Sequence, residues 1–223
     1  MNDISFDDVN FQIRGEGFHR TLETSFKITN KQRFVNCRLA YRYRLPKGAY
    51  LDSNTIGSDL SKHCFTPSHF DVEAPESSPK VANFHPVYFH SLQVLRKLFV
   101  FGDKVDIPVH LRYHKPAEND QLEAIVTFEF PKIYIQCEDN ATTIFKETAC
   151  EKNMEKIPCG CESHMPKCEF LRINMPNPRT VSASIPIASG SHRIFVIFFT
   201  LFMVSTCIAC TFYIVYNSKA KHE

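Results

Sequence analysis

Polar and apolar residues alternate along most of the chain before position 190, the pattern of strands with one buried face. In the clearest run, 38–45, odd positions are apolar or aromatic and three of the four even positions are arginine. Shorter runs of this kind lie at 9–13, 22–28, 105–113, 124–130, 133–135 and 181–187. Seven or more strands joined by short turns predict a mainly β fold, an antiparallel sandwich-like domain.

Three stretches depart from this alternation. Residues 53–80 are rich in Ser, Pro and Asp, and residues 138–178 contain the densest group of cysteines, so both are predicted to be loops. Residues 89–101 fit either an amphipathic helix or a buried strand.

A run of 23 residues without charge, 194–216, lies near the C-terminus. As a helix it would be about 35 Å long, enough for a hydrocarbon core of about 30 Å. Lysines follow the run, and two tyrosines stand where an interfacial aromatic belt would lie. We therefore predict a domain at 1–191, a transmembrane helix at 192–216 and a short tail at 217–223.

The formal charge is only +2 and no basic stripe is present, which argues against a nucleic-acid partner. Residues 1–8 are polar and acidic, unlike a signal peptide. Taken literally, the chain would be tail-anchored with its domain in the cytosol. The alternative is that an N-terminal signal segment is missing from this sequence and the domain is translocated.

The cysteines bear on this choice. Seven precede the apolar run, and in an oxidising compartment that density predicts disulfides; they are Cys37, Cys64, Cys137, Cys150, Cys159, Cys161 and Cys168. Because seven is odd, one thiol would be left without an intrachain partner, and the sequence does not choose the pairing. Asn140 begins a glycosylation sequon, which also favours translocation. In the cytosol, Cys159, Cys161 and Cys168 with His164 would instead suit zinc, the alternative we rank second.

Candidate chemistry is sparse. No nucleophile elbow, P-loop or dinucleotide fingerprint occurs, and no cofactor is predicted. Asp71 and Glu73 resemble an acidic pair that holds a divalent ion. If 105–113 continues as a strand, His110, Arg112 and His114 share one face with the histidines about 13 Å apart, too far to share a metal. We interpret that face as a recognition surface or a solvated polar face.

Three segments resemble one family. They are Leu-Pro-Lys-Gly-Ala-Tyr-Leu-Asp at 45–52, Phe-Asp-Val-Glu-Ala-Pro at 70–75 and Pro-Val-His-Leu-Arg-Tyr-His-Lys-Pro at 108–116. In order and spacing, and with a single C-terminal anchor after them, they resemble the PIG-X / PBN1 family. The resemblance runs from about residue 18 to the end.

The resemblance implies an endoplasmic reticulum membrane glycoprotein with one transmembrane helix and its domain in the lumen. It would be the non-catalytic subunit of the first mannosyltransferase of GPI-anchor biosynthesis, stabilising a multi-spanning PIG-M-like catalytic subunit. No catalytic residue is carried over, and Asp71, Glu73, His110, Arg112 and His114 become candidates for the partner interface. The rival hypotheses are an enzyme centred on Asp71, Glu73 and the two histidines, and a tail-anchored cytosolic zinc module at 150–168.

Overall fold

The structure is a computed structural model. It describes residues 4–51, 56, 63–65, 70–93, 95–117, 121–137, 153–162, 165–175, 177 and 179–219, with side chains at all of these except 4, 30–35, 95–98 and 218–219. Asn140 and Cys150 lie outside the described residues.

Within these ranges the chain forms strands throughout and then one helix. The strands are β1 Ile4–Arg14, β2 His19–Pro46, β3 Ala49–Tyr50, β4 His63–Phe65, β5 Phe84–Ser91, β6 Leu95–Leu111, β7 Glu123–Glu129, β8 Lys132–Cys137, β9 Met154–Pro158, β10 Lys167–Ile173 and β11 Thr180–Pro186. A 3₁₀ turn at Gly190–His192 leads into the helix α1, Arg193–Lys219. The predicted mainly β, antiparallel class with a C-terminal apolar helix is confirmed.

The 28-residue strand β2 organises the main sheet. Its first part pairs with β1 and β6, and its second part pairs with β8 and β5, all antiparallel. Between Thr29 and Cys37 the register with β6 shifts, and Asn36 has a positive φ of 48°. Such bulges bend a strand, so β2 can join two groups of strands. The sheet order is β3-β6-β2-β8-β10-β9, with β4 beside β5, while β7 and β11 form a separate pair.

The core follows the alternation seen in the sequence. Tyr41 and Tyr43 are at most 1% exposed. The buried side chains of β2 pack with those of β5, β6 and β8 in one large cluster; they are even-numbered before the bulge, at 22, 26 and 28, and odd-numbered after it, from 37 to 45. On the opposite face of the second part of β2, Ala40 and Tyr134 form a smaller cluster with side chains of β9 and β10.

Three strands lie where loops were predicted. Strand β4 falls inside the first predicted loop, and β9 and β10 fall inside the second, paired antiparallel with each other. The disulfide Cys159–Cys168 joins the ends of β9 and β10, so cross-linking supports a hairpin too short for periodicity to reveal. Within the ambiguous stretch 89–101, residues 89–91 end β5 and residues 95–101 begin β6, so no amphipathic helix forms in these described parts.

The chain forms two compact units, residues 1–114 with 125–185 and residues 115–124 with 186–223. In the second unit the backbone N–H of Ala117 donates to Ala188 O at 2.9 Å. The segment Gly190–Asn217 has a mean hydropathy of 2.4 and is long enough to cross a membrane. The hydroxyls of Thr206 and Thr211 donate to carbonyl oxygens one turn earlier, which satisfies them without water.

Candidate functional site

Arg112 lies at the centre of a cluster built from the three segments 45–52, 70–75 and 108–116. It is 3% exposed, although arginine is rarely buried without partners. Its Nη1 donates hydrogen bonds to the carbonyl oxygens of Asp71, at 2.6 Å, and Ala74, at 2.7 Å. Its backbone N–H donates to Gly48 O at 2.8 Å. Arg112 therefore ties two loops to the end of β6: its side chain holds the loop 70–76, and its backbone holds the turn at Gly48.

The loop 70–76 has two further ties to the same place. The N–H of Glu76 donates to Tyr113 O at 2.9 Å, and the Glu76 carboxylate lies 3.8 Å from Lys47 Nζ. The ring of Phe70 contacts His85 at 5.1 Å between centroids. Burial and then the Arg112 charge lower the pKa of His85, so this ring is held neutral inside the cluster.

The aromatic side of the cluster is formed by Tyr50 and His110, which are opposite one another in β3 and β6. Their rings stack at 5.1 Å, and the Arg112 guanidinium carbon lies 4.8 Å from the Tyr50 centroid. His19 packs edge-on against His110 at 4.6 Å. Burial lowers the pKa of Arg112, whereas Tyr50 and Asp71 raise it, which is the balance expected of a desolvated cation with nearby acceptors.

His114 is part of the same cluster but not of the strand. Its Nδ1 is 2.9 Å from Arg112 O, and its ring lies against Gly48. A Cβ on Gly48 would come 2.8 Å from Val126 Cγ2 and 3.1 Å from the His114 ring, so only glycine fits here without rearrangement. The expected strand face of His110, Arg112 and His114 does not form, because β6 ends at Leu111 and Arg112 turns inward.

Asp71 and Glu73 have exposed side chains. The Asp71 carboxylate accepts a hydrogen bond from the Ala74 N–H at 3.2 Å, a local turn that shapes the loop. Among the residues that the structure describes, no three His, Cys, Asp or Glu side chains are grouped as they would be around a metal ion. The His110 ring packs against Tyr50, and the His114 ring lies against Gly48.

A second polar cluster was not predicted from sequence. Asp103 accepts a hydrogen bond from the hydroxyl of Tyr41 and lies 2.8 Å from Nε2 of His63, which is 4% exposed. Burial and then Asp103 raise the pKa of Tyr41 well above its usual value, so the phenol stays protonated. The alternation of β2 revealed that Tyr41 is buried, but not that β4 and β6 supply its partners.

The structure pairs six of the seven candidate cysteines. The disulfides are Cys37–Cys137, Cys64–Cys161 and Cys159–Cys168. The first joins residues opposite one another in β2 and β8, and the second joins β4 to the turn after β9. Cys159, Cys161 and Cys168, the three cysteines of the zinc alternative, are thus all in disulfides, whereas zinc requires free thiolates. The fourth ligand of that alternative, His164, lies outside the described residues.

These features define a class: a disulfide-bonded antiparallel β domain with one apolar C-terminal helix that could span a membrane. The sequence model of the PIG-X / PBN1 family matches residues 15–216. The chain belongs to this family.

Mammalian relatives match most of this chain and about three quarters of their own length. The human GPI alpha-1,4-mannosyltransferase I stabilizing subunit is 24% identical over 203 residues, 88% of this chain and 74% of the human protein. The mouse subunit of the same name is 23% identical over 199 residues, 86% of this chain and 74% of the mouse protein. The rat subunit is 22% identical over the same length, 75% of the rat protein.

Proposed function

We propose that this chain is the non-catalytic stabilising subunit of a GPI mannosyltransferase I complex in the endoplasmic reticulum membrane. It supports transfer of the first mannose by a PIG-M-like, multi-spanning catalytic subunit. The observation that carries the proposal is the family match across 15–216 together with the names of the mammalian relatives.

The cluster around Arg112 supports a scaffold role. The polar side chains of the segment 108–116 are engaged inside the domain. Arg112 donates to two backbone carbonyls, the His114 ring packs on Gly48, and the His110 ring stacks on Tyr50. Arg112 thus acts on a partner through the loop it fixes. Of the five interface candidates, Asp71 and Glu73 have the exposed side chains suited to contact the catalytic subunit.

The disulfides support a luminal domain, because such bonds persist in oxidising compartments. On this proposal residues 1–191 are luminal, 192–216 span the bilayer, 217–223 are cytosolic, and Asn140 carries a glycan. An endoglycosidase should shift the mass of the microsomal protein, and Asn140→Gln should remove the shift. An unshifted wild-type protein, cleaved by protease added outside sealed microsomes, would reverse the topology.

The test of function is depletion with rescue. Binding to the folded catalytic subunit stabilises it by mass action. Depleting this chain should therefore lower both the abundance of the catalytic subunit and the surface level of GPI-anchored proteins, and re-expression should restore both. Unchanged levels after depletion would refute the proposal. Mannose transfer by the purified chain without a partner would refute its non-catalytic part.

A further inference from the structure

Four neighbouring cations lie on the outer face of the second part of β2 and its neighbours, on the same side as Arg38. Arg42 on β2 lies directly opposite Lys132 on β8. Arg44 is two residues further along β2, and Arg172 on β10 is opposite Tyr134, two residues from Lys132. Side chains two apart on a strand share a face. These four residues, named here the cationic face, therefore lie on one side of the sheet.

Among the described residues, two carboxylates lie at ion-pair distance from three of these four cations. Glu155 Oε2 is 2.9 Å from Arg42 Nη1, and Glu155 Oε1 is 3.2 Å from Arg172 Nη1, so one carboxylate is shared by two arginines. It also accepts a hydrogen bond from the Tyr134 hydroxyl at 2.9 Å. Glu129 lies 3.6 Å from Arg44. Within the part of the chain that is described, Lys132 has no carboxylate at ion-pair distance.

Lys132 is the key position. Like charges directly opposite one another on antiparallel strands are destabilising, and Lys132 faces Arg42 in this way. Burial and then the Arg42 charge lower the pKa of Lys132, Glu155 raises it, and Arg172 and Arg44 lower it further. The net direction is downward, so Glu155 offsets the neighbouring cations only in part. Lys132 is therefore a cation that the described part of the folded domain leaves without an ion pair and beside like charges, where a carboxylate from outside the domain could neutralise it.

We propose that the cationic face docks on an acidic segment of the catalytic subunit, with Lys132 as the cation that the partner neutralises. This inference rests on the proposed function and names a docking surface for it. The four cations extend over β2, β8 and β10, two strand spacings or about 10 Å, which is wider than a single oxyanion. Several carboxylates along one chain segment fit that width.

Charge complementarity favours a protein over a lipid surface. Glu155 and Glu129 lie among the cations and would repel a plane of lipid phosphates, whereas a folded partner can place its carboxylates between them. Two of the cations are also only partly accessible to a partner: the side chains of Arg42 and Arg172 are 20% and 29% exposed. A partner must fit closely to contact them.

The experiment co-expresses the full chain with the catalytic subunit and measures affinity of the detergent-purified pair. Lys132→Glu and Arg44→Glu should each weaken binding about tenfold, a change typical of charge pairs at interfaces. The matched control is Lys156→Glu on β9, whose lysine is 70% exposed and pairs with Glu169 at 3.8 Å. That control should bind like the wild type.

A neutral variant separates docking from folding. Lys132→Gln removes the charge opposite Arg42, so the chain without its partner should melt at the same or a higher temperature while the complex weakens. Wild-type affinity in all Lys132 and Arg44 variants would overturn the inference. Failure of the wild-type chain itself to bind the catalytic subunit would instead overturn the proposed function.

The lipid alternative has its own measurement. The full chain alone is melted in nanodiscs of phosphatidylcholine, with and without phosphatidylserine. We expect no difference that depends on Lys132. A stabilisation by phosphatidylserine that Lys132→Glu abolishes would assign the cationic face to lipid and overturn the inference.

Discussion

Replacing Arg112 by alanine should release the loop 70–76 and destabilise the domain. The change removes two charge-assisted hydrogen bonds, to Asp71 O and Ala74 O, each worth about 1.5–3 kcal/mol. It also removes the contact with the Tyr50 ring, worth about 1 kcal/mol. Against this, the buried Nε of Arg112 has no hydrogen-bond partner, and its removal returns about 1–3 kcal/mol. We expect a net loss of about 2–4 kcal/mol.

The assay is thermal unfolding of the full chain in detergent, followed by circular dichroism. For a domain of this size the loss corresponds to a Tm lower by about 5–15 °C. Amide exchange at Glu76, whose N–H donates to Tyr113 O, should accelerate. Arg112→Lys should lose about half as much, because both carbonyls bond to one nitrogen, and an ammonium can donate to both.

The matched control is Arg14→Ala. Arg14 is 65% exposed at its side chain and pairs with Glu23 at 3.1 Å, and exposed pairs contribute about 0–1 kcal/mol. If Arg112→Ala costs no more than Arg14→Ala and leaves the exchange of Glu76 unchanged, the guanidinium does not hold the loop. The structural account of the family-like segments would then be refuted.

Three further perturbations test separate parts of the fold. Burial lowers the pKa of His90 to about 4, from about 6.5 in the unfolded chain. The free energy of unfolding should therefore fall by up to about 3 kcal/mol as the pH drops from 6.5 to 4, and should level off below pH 4. The fall should be smaller in His90→Gln, and equal pH profiles for the two proteins would contradict this. Replacing both Cys37 and Cys137 by alanine removes a disulfide that closes a loop of 100 residues. The free energy of unfolding, measured by chemical denaturation, should fall by about 4–5 kcal/mol. A fall of less than about 1 kcal/mol would contradict this. Gly48→Ala should lower the unfolding free energy by about 1–3 kcal/mol because the added Cβ would meet close contacts. Gly160→Ala should cost less, because the nearest atom to its added Cβ would be 3.6 Å away. Equal costs of the two substitutions would contradict the packing argument.

The sequence predicted the class of fold because alternation reports burial directly. In β2 the odd positions 39–45 are buried as expected. Alternation failed where a strand is short or is interrupted by polar residues. Strands β9 and β10 form one short hairpin beside a disulfide. Strand β2 continues through the polar run 30–33, beyond which Phe34 and Val35 pair with β6. Those strands exist because of partners far away in sequence, which a local pattern does not contain.

The same limit applies to the candidate site. The resemblance singled out Arg112, but its acceptors are backbone oxygens 41 and 38 residues earlier. Every residue type has a backbone carbonyl, so the sequence of the loop 70–76 does not indicate that Arg112 binds there. The expectation of an exposed charged face was reasonable for an arginine and wrong for this one.

Arg112 and the arginines of β2 therefore have the opposite roles to those that their places in the sequence indicate. Arg112 lies in the most distinctive motif, yet its guanidinium donates hydrogen bonds to carbonyl oxygens inside the domain. The arginines at 42 and 44 belong to an ordinary alternating strand, yet with Arg172 and Lys132 they form a face whose four cations outnumber the two carboxylates paired with them among the described residues. A stabilising subunit needs both: a rigid loop framework so that the docking surface is formed before binding, and charge that folding leaves unneutralised. Destabilising the first should weaken binding together with Tm, whereas changing Lys132 should weaken binding alone, and this separation distinguishes a scaffold residue from a contact residue.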